Sequence, residues 1–295
     1  MAELELDKTQ VRASFDQAAD RYDEVAVLQR EVANRLLERL DLVKLRPRRV
    51  LDLGAGTGWC TQALAGRYPK ARVVALDLAP AMLRRARDRF SVWSRRFGGH
   101  GFVCGDAERL PFADASFDLI FSSLTLQWCT DPDGTFAQLR RILRPGGLLM
   151  FTTLGPDTLR ELRASWAAAD GDVHVNTFFD MHDIGDAMVR AGLADPVMDM
   201  ETITMTYRQV PRLLSDLKVL GAHNVNEGRT RGLTGKGRLK AMMRKYEEYR
   251  TEAGVLPATY EVVYGHAWGP ERMTGRKEGG DVHIPLQQVK SGLKR

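Results

Sequence analysis

Apolar residues set two rhythms along this chain. From Asp16 to Leu40 they recur every three or four positions (Ala18, Ala19, Tyr22, Val25, Leu28, Val32, Leu36, Leu37, Leu40), which predicts helix across 8–45. Arg46-Pro47-Arg48-Arg49 closes that segment. Five short apolar runs follow: Val50–Leu53, Arg72–Asp77, Gly101–Gly105, Phe117–Ser122 and Leu148–Thr153. Helical stretches at 59–67, 80–97 and 131–143 lie between them. Strands that alternate with helices and lack a polar face predict a parallel sheet covered on both sides. Beyond 153 the pattern loosens into helices at 157–169, 180–192, 211–221 and 236–253. Strands are predicted at Val197–Tyr207 and Thr259–His266. From Gly269 onward the chain is polar, Gly-rich and without period, which predicts a largely disordered tail.

A length of 295 residues suits one large α/β domain with insertions, or two small domains. No apolar run approaches the ~18 residues that span a bilayer. The first residues, Met-Ala-Glu-Leu-Glu-Leu-Asp-Lys, are acidic where a secretory signal is basic and then apolar. A cytoplasmic protein without a membrane segment is expected. Cys60, Cys104 and Cys129 are scattered with no C-x-x-C spacing, so neither a disulfide framework nor a metal centre is expected. The net charge of +5 can attract nucleic acid, an anionic membrane or an acidic protein, and does not choose among them. Without a base-stacking aromatic run, nucleic acid is not the expected one.

Chemistry concentrates where the first strand ends. Leu51-Asp-Leu-Gly-Ala-Gly-Thr-Gly58 turns from strand into helix, and ligands of open α/β sheets bind beyond such strand ends. The dinucleotide pattern G-x-G-x-x-G is broken by Trp59, and no Gly-Lys-Ser/Thr of a phosphate loop is present. Asp77 ends the second strand, where a carboxylate accepts charge-assisted hydrogen bonds from ribose hydroxyls. Asp106 with Ala107 ends the third, where an acid and a backbone N–H suit an adenine edge.

Taken in order, the glycine turn, the Asp77 acid, Gly105-Asp-Ala with Leu110-Pro-Phe, Ser116-Phe-Asp and Leu143-Arg-Pro-Gly-Gly resemble the class I S-adenosyl-L-methionine (SAM) methyltransferases. The resemblance covers about 45–155. It implies a Rossmann-like, doubly wound seven-stranded sheet with an antiparallel last strand and helical lid insertions. It also implies SAM as cofactor and S-adenosyl-L-homocysteine as product. Cofactor contacts fall on Gly54, Ala55, Gly56, Gly58, Asp77, Leu78, Met82, Asp106, Ala107 and Ser122. The expected organisation is a helical cap (1–47), a SAM-binding core (48–155), the rest of the sheet with lid insertions (156–268) and the tail (269–295).

Further segments extend the likeness to about Pro270: Ser122-Ser-Leu-Thr-Leu-Gln-Trp-Cys129, Phe151-Thr-Thr-Leu154, Leu217-Lys-Val-Leu-Gly-Ala-His223, Arg231-Gly-Leu-Thr-Gly235 and Leu256-Pro-Ala-Thr-Tyr-Glu-Val-Val-Tyr264. Together they resemble the malonyl-[acyl-carrier protein] O-methyltransferase family of biotin synthesis. That implies methylation of the free carboxylate of a malonyl thioester on acyl carrier protein. The methyl ester hides a charge, so fatty-acid synthesis enzymes accept and elongate the chain. A carboxylate is ionised at neutral pH and needs no general base. Tyr22, Trp128 and Phe178 are the expected residues at the transfer site.

The family carries Arg where this chain has Thr177, so a clamp on the malonyl carboxylate is expected to be lost, or moved to a cation such as Arg160, Arg163 or Arg208. The acidic carrier is expected on a basic surface, either the insertion with Arg231, Arg238 and Lys240 or the Arg84–Arg96 segment. A methyltransferase of a quinone precursor or natural product is the alternative. For C-methylation it requires a base, with His174, His182 and His223 the candidates.

Overall fold

The computed structural model describes residues 6–93, 99–170, 172–221, 235–271, 277–278 and 281–282. Three helices open the chain, α1 (Lys8–Ala18), α2 (Tyr22–Val25) and α3 (Val27–Arg39), with a 3-10 turn at Leu40–Leu42. The helix expected across 8–45 is therefore broken twice. Tertiary hydrogen bonds outweigh helix propensity there: Asp16 accepts from Ala81 N at 2.7 Å and Asp23 from the Thr57 hydroxyl at 2.7 Å. Ala26, with ψ of 46°, belongs to neither helix.

The core then alternates as the apolar runs predict. It comprises β1 (Arg49–Leu53), α4 (Trp59–Arg67), β2 (Arg72–Asp77), α5 (Pro80–Asp88), β3 (Gly101–Cys104) and β4 (Phe117–Ser122). Next come α6 (Pro132–Ile142), β5 (Leu143–Leu154), α7 (Arg160–Ala167), α8 (Met181–Arg190), β6 (Ala194–Tyr207), α9 (Val210–Val219), α10 (Lys236–Tyr246) and β7 (Leu256–Trp268). The short β8 (Lys277–Glu278) and β9 (Asp281–Val282) pair with each other. The rest of the segment expected to be a disordered tail lies outside the described residues beyond Glu271. Helix α5 ends at Asp88 rather than near 97. A 3-10 turn at Glu247–Tyr249 replaces the end of the helix expected to 253.

The seven strands run β3-β2-β1-β4-β5-β7-β6. β1 to β5 are parallel, and β7 is antiparallel to both neighbours. Side chains alternate across the sheet. Val50, Leu119, Phe121, Leu148 and Met150 pack on one face with Leu36, Leu64 and Tyr246. Leu51, Ile120, Leu149 and Phe151 pack on the other with Phe136, Leu139 and Met188. Both faces are buried, so the strands read as continuous apolar runs. Among the described residues no helix is long and apolar enough to cross a membrane.

The strand order reverses at β1 and β4, and their carboxyl ends leave a crevice there. Two glycines shape its edge. Gly54 has φ of 72°, and a Cβ on it would lie 1.9 Å from the Thr125 hydroxyl. Gly58 has φ of 86°, and a Cβ would lie 2.6 Å from Ala86 Cα. Strain and overlap add at Gly58, so Gly58→Ala is expected to cost about 2 kcal/mol or more. Urea denaturation checks this as a lowered midpoint with unchanged slope.

Candidate active site

The crevice is the floor of a cavity that opens to solvent. Asp77, at the end of β2, is one of its polar groups. Asp77 Oδ2 accepts from Gly56 N and Oδ1 from Ala79 N, both at 2.8 Å. The glycine turn is itself hung on β2, since Gly54 N and Ala55 N both donate to Leu76 O. Burial pushes the Asp77 carboxyl up to about 6 against those donors. Its neighbour Asp52, at the end of β1, is pushed by burial to about 7, although the Thr61 hydroxyl donates to it at 2.5 Å.

Met82 and Leu78 line the cavity beside Asp77, and Gly105, Asp106 and Ala107 continue the wall at the end of β3. The wall here is closed from α1. Lys8 Nζ lies 3.0 Å from both Asp106 Oδ1 and Glu108 Oε2. Burial opposes the charge of Glu108, yet Asp131 N, Lys8 and Thr130 N hold its carboxyl below the ordinary range. Phe15 of α1 meets the Trp128 ring edge-to-face at 5.2 Å. Helix α1 is thus a roof held by this ion-pair cluster, this aromatic pair and the bond from Ala81 N to Asp16.

The other half of the cavity differs in kind. Leu124, Leu154, Leu159, Leu217, Leu220 and Phe178 line it, with Tyr22, Tyr260, Asn176 and Gln127 as polar groups. Leu124 and Leu159 hold φ of 50° and 55°, an uncommon conformation for leucine that clusters at functional sites. Among the described lining residues Lys8 is the one Lys or Arg, and no His lines the space. Two acceptors in the cavity wall, Gln29 Oε1 and Gln127 Oε1, are buried without a hydrogen-bond partner.

Most residues singled out from sequence converge here: Tyr22, Trp128, Phe178, Gly54, Gly56, Asp77, Leu78, Met82, Asp106 and Ala107. Others are placed differently. The Ser122 hydroxyl donates to Leu53 O at 3.0 Å within the sheet, and Ser123 lines the cavity instead. Gly58 starts α4, and Ala55 faces a side recess. Arg163 spends its guanidinium on the carbonyls of Pro156 (2.7 Å), Thr158 (3.1 Å) and Asn176 (3.5 Å), so it braces the wall rather than entering the space. Thr177 lines an adjoining pocket with Gln127 and Phe179 while Asn176 lines the main cavity, so position 177 is not part of the main wall. Arg238 is paired with Asp172 (3.2 Å) and Asp170 (3.5 Å), Lys240 is exposed, and Arg231 lies outside the described residues. His174 stacks on Trp166 at 3.7 Å and bonds Asp170 at 2.8 Å, away from the cavity. His182 is exposed beside Asp180, and His223 lies outside the described residues. Lys8, Gln29 and Asn176 stand outside the motifs quoted above, and Ser123 and Tyr260 lie within two of them without being singled out. They meet only in the folded chain.

Residues 51–151 match the family described as Methyltransferase domain. Over nearly its whole length the chain is similar to proteins named malonyl-[acyl-carrier protein] O-methyltransferase. It is 51% identical to the one from Gallionella capsiferriformans over 278 residues, covering 94% of this chain and 96% of that protein. It is 53% identical to the one from Halorhodospira halophila over 287 residues, covering 97% and 96%. Among solved structures, the YcgJ protein from Bacillus subtilis gives a TM-score of 0.55 at 18% identity, covering 81% of this chain and 99% of that one. Haemonchus contortus phosphoethanolamine N-methyltransferase 2, solved in complex with S-adenosyl-L-methionine, gives a TM-score of 0.50 at 19% identity, covering 81% and 52%. These two likenesses carry the fold.

The Lys8 cluster makes α1 testable as a roof. Lys8→Ala is expected to raise amide exchange across Lys8–Ala18 roughly threefold to tenfold and leave β1 unchanged, as read by hydrogen–deuterium exchange.

Proposed function

Because the chain belongs to the malonyl-[acyl-carrier protein] O-methyltransferase family, we propose that its acceptor is the free carboxylate of a malonyl thioester on acyl carrier protein. The chain is a SAM-dependent methyltransferase. The products are the malonyl methyl ester and S-adenosyl-L-homocysteine, and the masked chain is then elongated toward the pimeloyl part of biotin. Acceptors that need a base to form a carbanion are disfavoured, since no His lines the cavity among the described residues.

The residues fit the cofactor. Asp77 keeps a lone pair on each oxygen for a ribose hydroxyl after accepting Gly56 N and Ala79 N. The two partnerless glutamine oxygens fit a ligand that brings donors. When bound, SAM supplies a methyl group on a sulfonium, whose C–S electron pair stays on sulfur as the acceptor oxygen takes the methyl.

The apolar acceptor half carries the reading. A carboxylate and a sulfonium lose their charges as the methyl moves. A wall of leucines with few polar groups excludes water and favours that neutralisation over separated, hydrated ions. A clamping cation would compete for the attacking oxygen, and Lys8 is already engaged by Asp106 and Glu108. Arg163 acts as a positioning residue through the Asn176 carbonyl. The Tyr22 phenol, pushed up by burial and then by Asp77 and Asp23, stays protonated and offers a donor at the boundary of the two halves. Orientation then supplies the rate, and well-aligned reactants gain roughly 7–11 kcal/mol.

An acidic carrier finds complementary charge on α10. Lys236, Lys240 and Arg244 are exposed at four-residue spacing, on one face of that helix. None of the three is in an ion pair among the described residues.

Two outcomes test this function. Malonyl-acyl carrier protein incubated with the chain and SAM is expected to gain one methyl on the acyl group by mass spectrometry. An unchanged acyl group while free acids or phenols are methylated refutes the acceptor. The second outcome follows from Asp77, which must be ionised to accept both ribose hydroxyls. With its carboxyl at about 6, S-adenosyl-L-homocysteine affinity is lost as pH falls through 6, about tenfold per unit below it. Calorimetry from pH 8 to 5 reads this, and Asp77→Asn should abolish the step near 6.

A further inference from the structure

The leucine-lined half of the cavity contains a hydrogen-bond acceptor with nothing to accept. Gln127 stands in the 3-10 turn Leu126–Trp128 that follows β4, and its Oε1 is buried without a partner. Turning the amide over does not correct this. Its Nε2 donates to Leu124 O at 2.7 Å, and the flipped amide sets two oxygens against each other. Leu124 is fixed in turn, because its N–H donates to Thr152 O at 3.1 Å and to the Thr152 hydroxyl at 3.0 Å on β5, while its φ is 50°. A strained residue thus aims an amide whose oxygen is left over. Gln127, Cys129 and Phe178 line both the main cavity and the adjoining pocket, so Gln127 stands where the two spaces meet.

We propose that Gln127 reads the arm that carries the acyl group, its Oε1 accepting the N–H of the secondary amide two carbons beyond the thioester sulfur. The inference rests on a carrier-bound malonyl thioester as the acceptor. Elimination leads to that amide. The carboxylate, the thioester carbonyl and the sulfur of the malonyl group only accept, so none of them suits a partnerless oxygen. Outward from the carboxylate, the amide N–H is the first donor. It is also uncharged, and a wall of leucines admits it more readily than an ammonium. Oε1 is closed to solvent and has no water to surrender. Only the hydration of the incoming N–H is lost, so the bond keeps more of its strength than one made at an exposed site. Gln127 thereby separates an arm-borne malonyl group from a free dicarboxylate, which has no such donor.

Two malonyl thioesters test the assignment on the full chain, with SAM present and the methyl ester read by mass spectrometry. One is the thioester of N-acetylcysteamine and carries the amide. The other has oxygen in place of that N–H and is otherwise the same. The wild-type chain is expected to use the amide about tenfold better in kcat/KM. The difference should lie in KM, since the contact is the same before and during transfer. In Gln127→Leu the preference should shrink to within about twofold. Equal use of the two thioesters by the wild-type chain overturns the assignment. A preference that survives Gln127→Leu overturns it as well, and a loss shared by both thioesters leaves Gln127 only as a brace for Leu124. Methylation of carrier-borne malonyl with neither thioester accepted overturns the assignment while the acceptor stands. Refusal of carrier-borne malonyl and of both thioesters overturns the two together.

Discussion

A carboxylate taken out of water must find donors, and at the end of β2 the backbone provides them. Asp77 is held by Gly56 N and Ala79 N, one from the turn after β1 and one from the start of α5. Those two bonds fix the turn, the helix and the strand end in one geometry. They leave the acid underneutralised, with its carboxyl raised by burial and a second raised carboxyl, Asp52, close by. A ligand that brings hydroxyl donors relieves that imbalance. Gly54 and Gly58 follow from the same constraint, because the chain must turn tightly between Thr125 and Ala86 to place Gly56 N over the acid.

The two halves of the cavity divide the labour. The half around Asp77 is polar and keeps acceptor capacity to spare. The acceptor half is leucine-rich and uses little directed polarity. Methyl transfer from sulfonium to carboxylate fits that division, since the leaving group departs neutral and no proton moves. Thr177, expected from the resemblance to stand where an arginine clamps the acceptor, lines the neighbouring pocket and not the main cavity.

Legibility in the sequence tracks locality. β2 and β4 were readable to the residue because their apolar runs end in Asp77 and Ser122. β5 was read from Leu148, but it begins at Leu143. Arg144-Pro-Gly-Gly147 looks like a turn, and a register shift opposite Phe117 and Leu119 accommodates it in the strand. The nucleoside contacts sit on short strand-to-helix turns and carry their own signature. The acceptor wall does not, since Tyr22, Leu124, Leu159, Asn176, Leu217 and Tyr260 come from six separate segments. Alternation at a strand end is ambiguous by one residue, and the bond to Leu53 O keeps Ser122 within the sheet while Ser123 lines the cavity.

The roof is built from both ends of the chain. Ser14 and Phe15 of α1 pack against Gly221, just past α9, and β5 pairs residue for residue with β7 across more than a hundred intervening positions. Contacts so distant in sequence form late, because the loop between them must close first. On the ribosome the parallel strands β1 to β4 emerge with a complete nucleoside floor while β7 is still unmade. The acceptor half is therefore the youngest surface of the molecule. Its leucine wall, drawn from segments between α2 and β7, is completed only when the last strand docks.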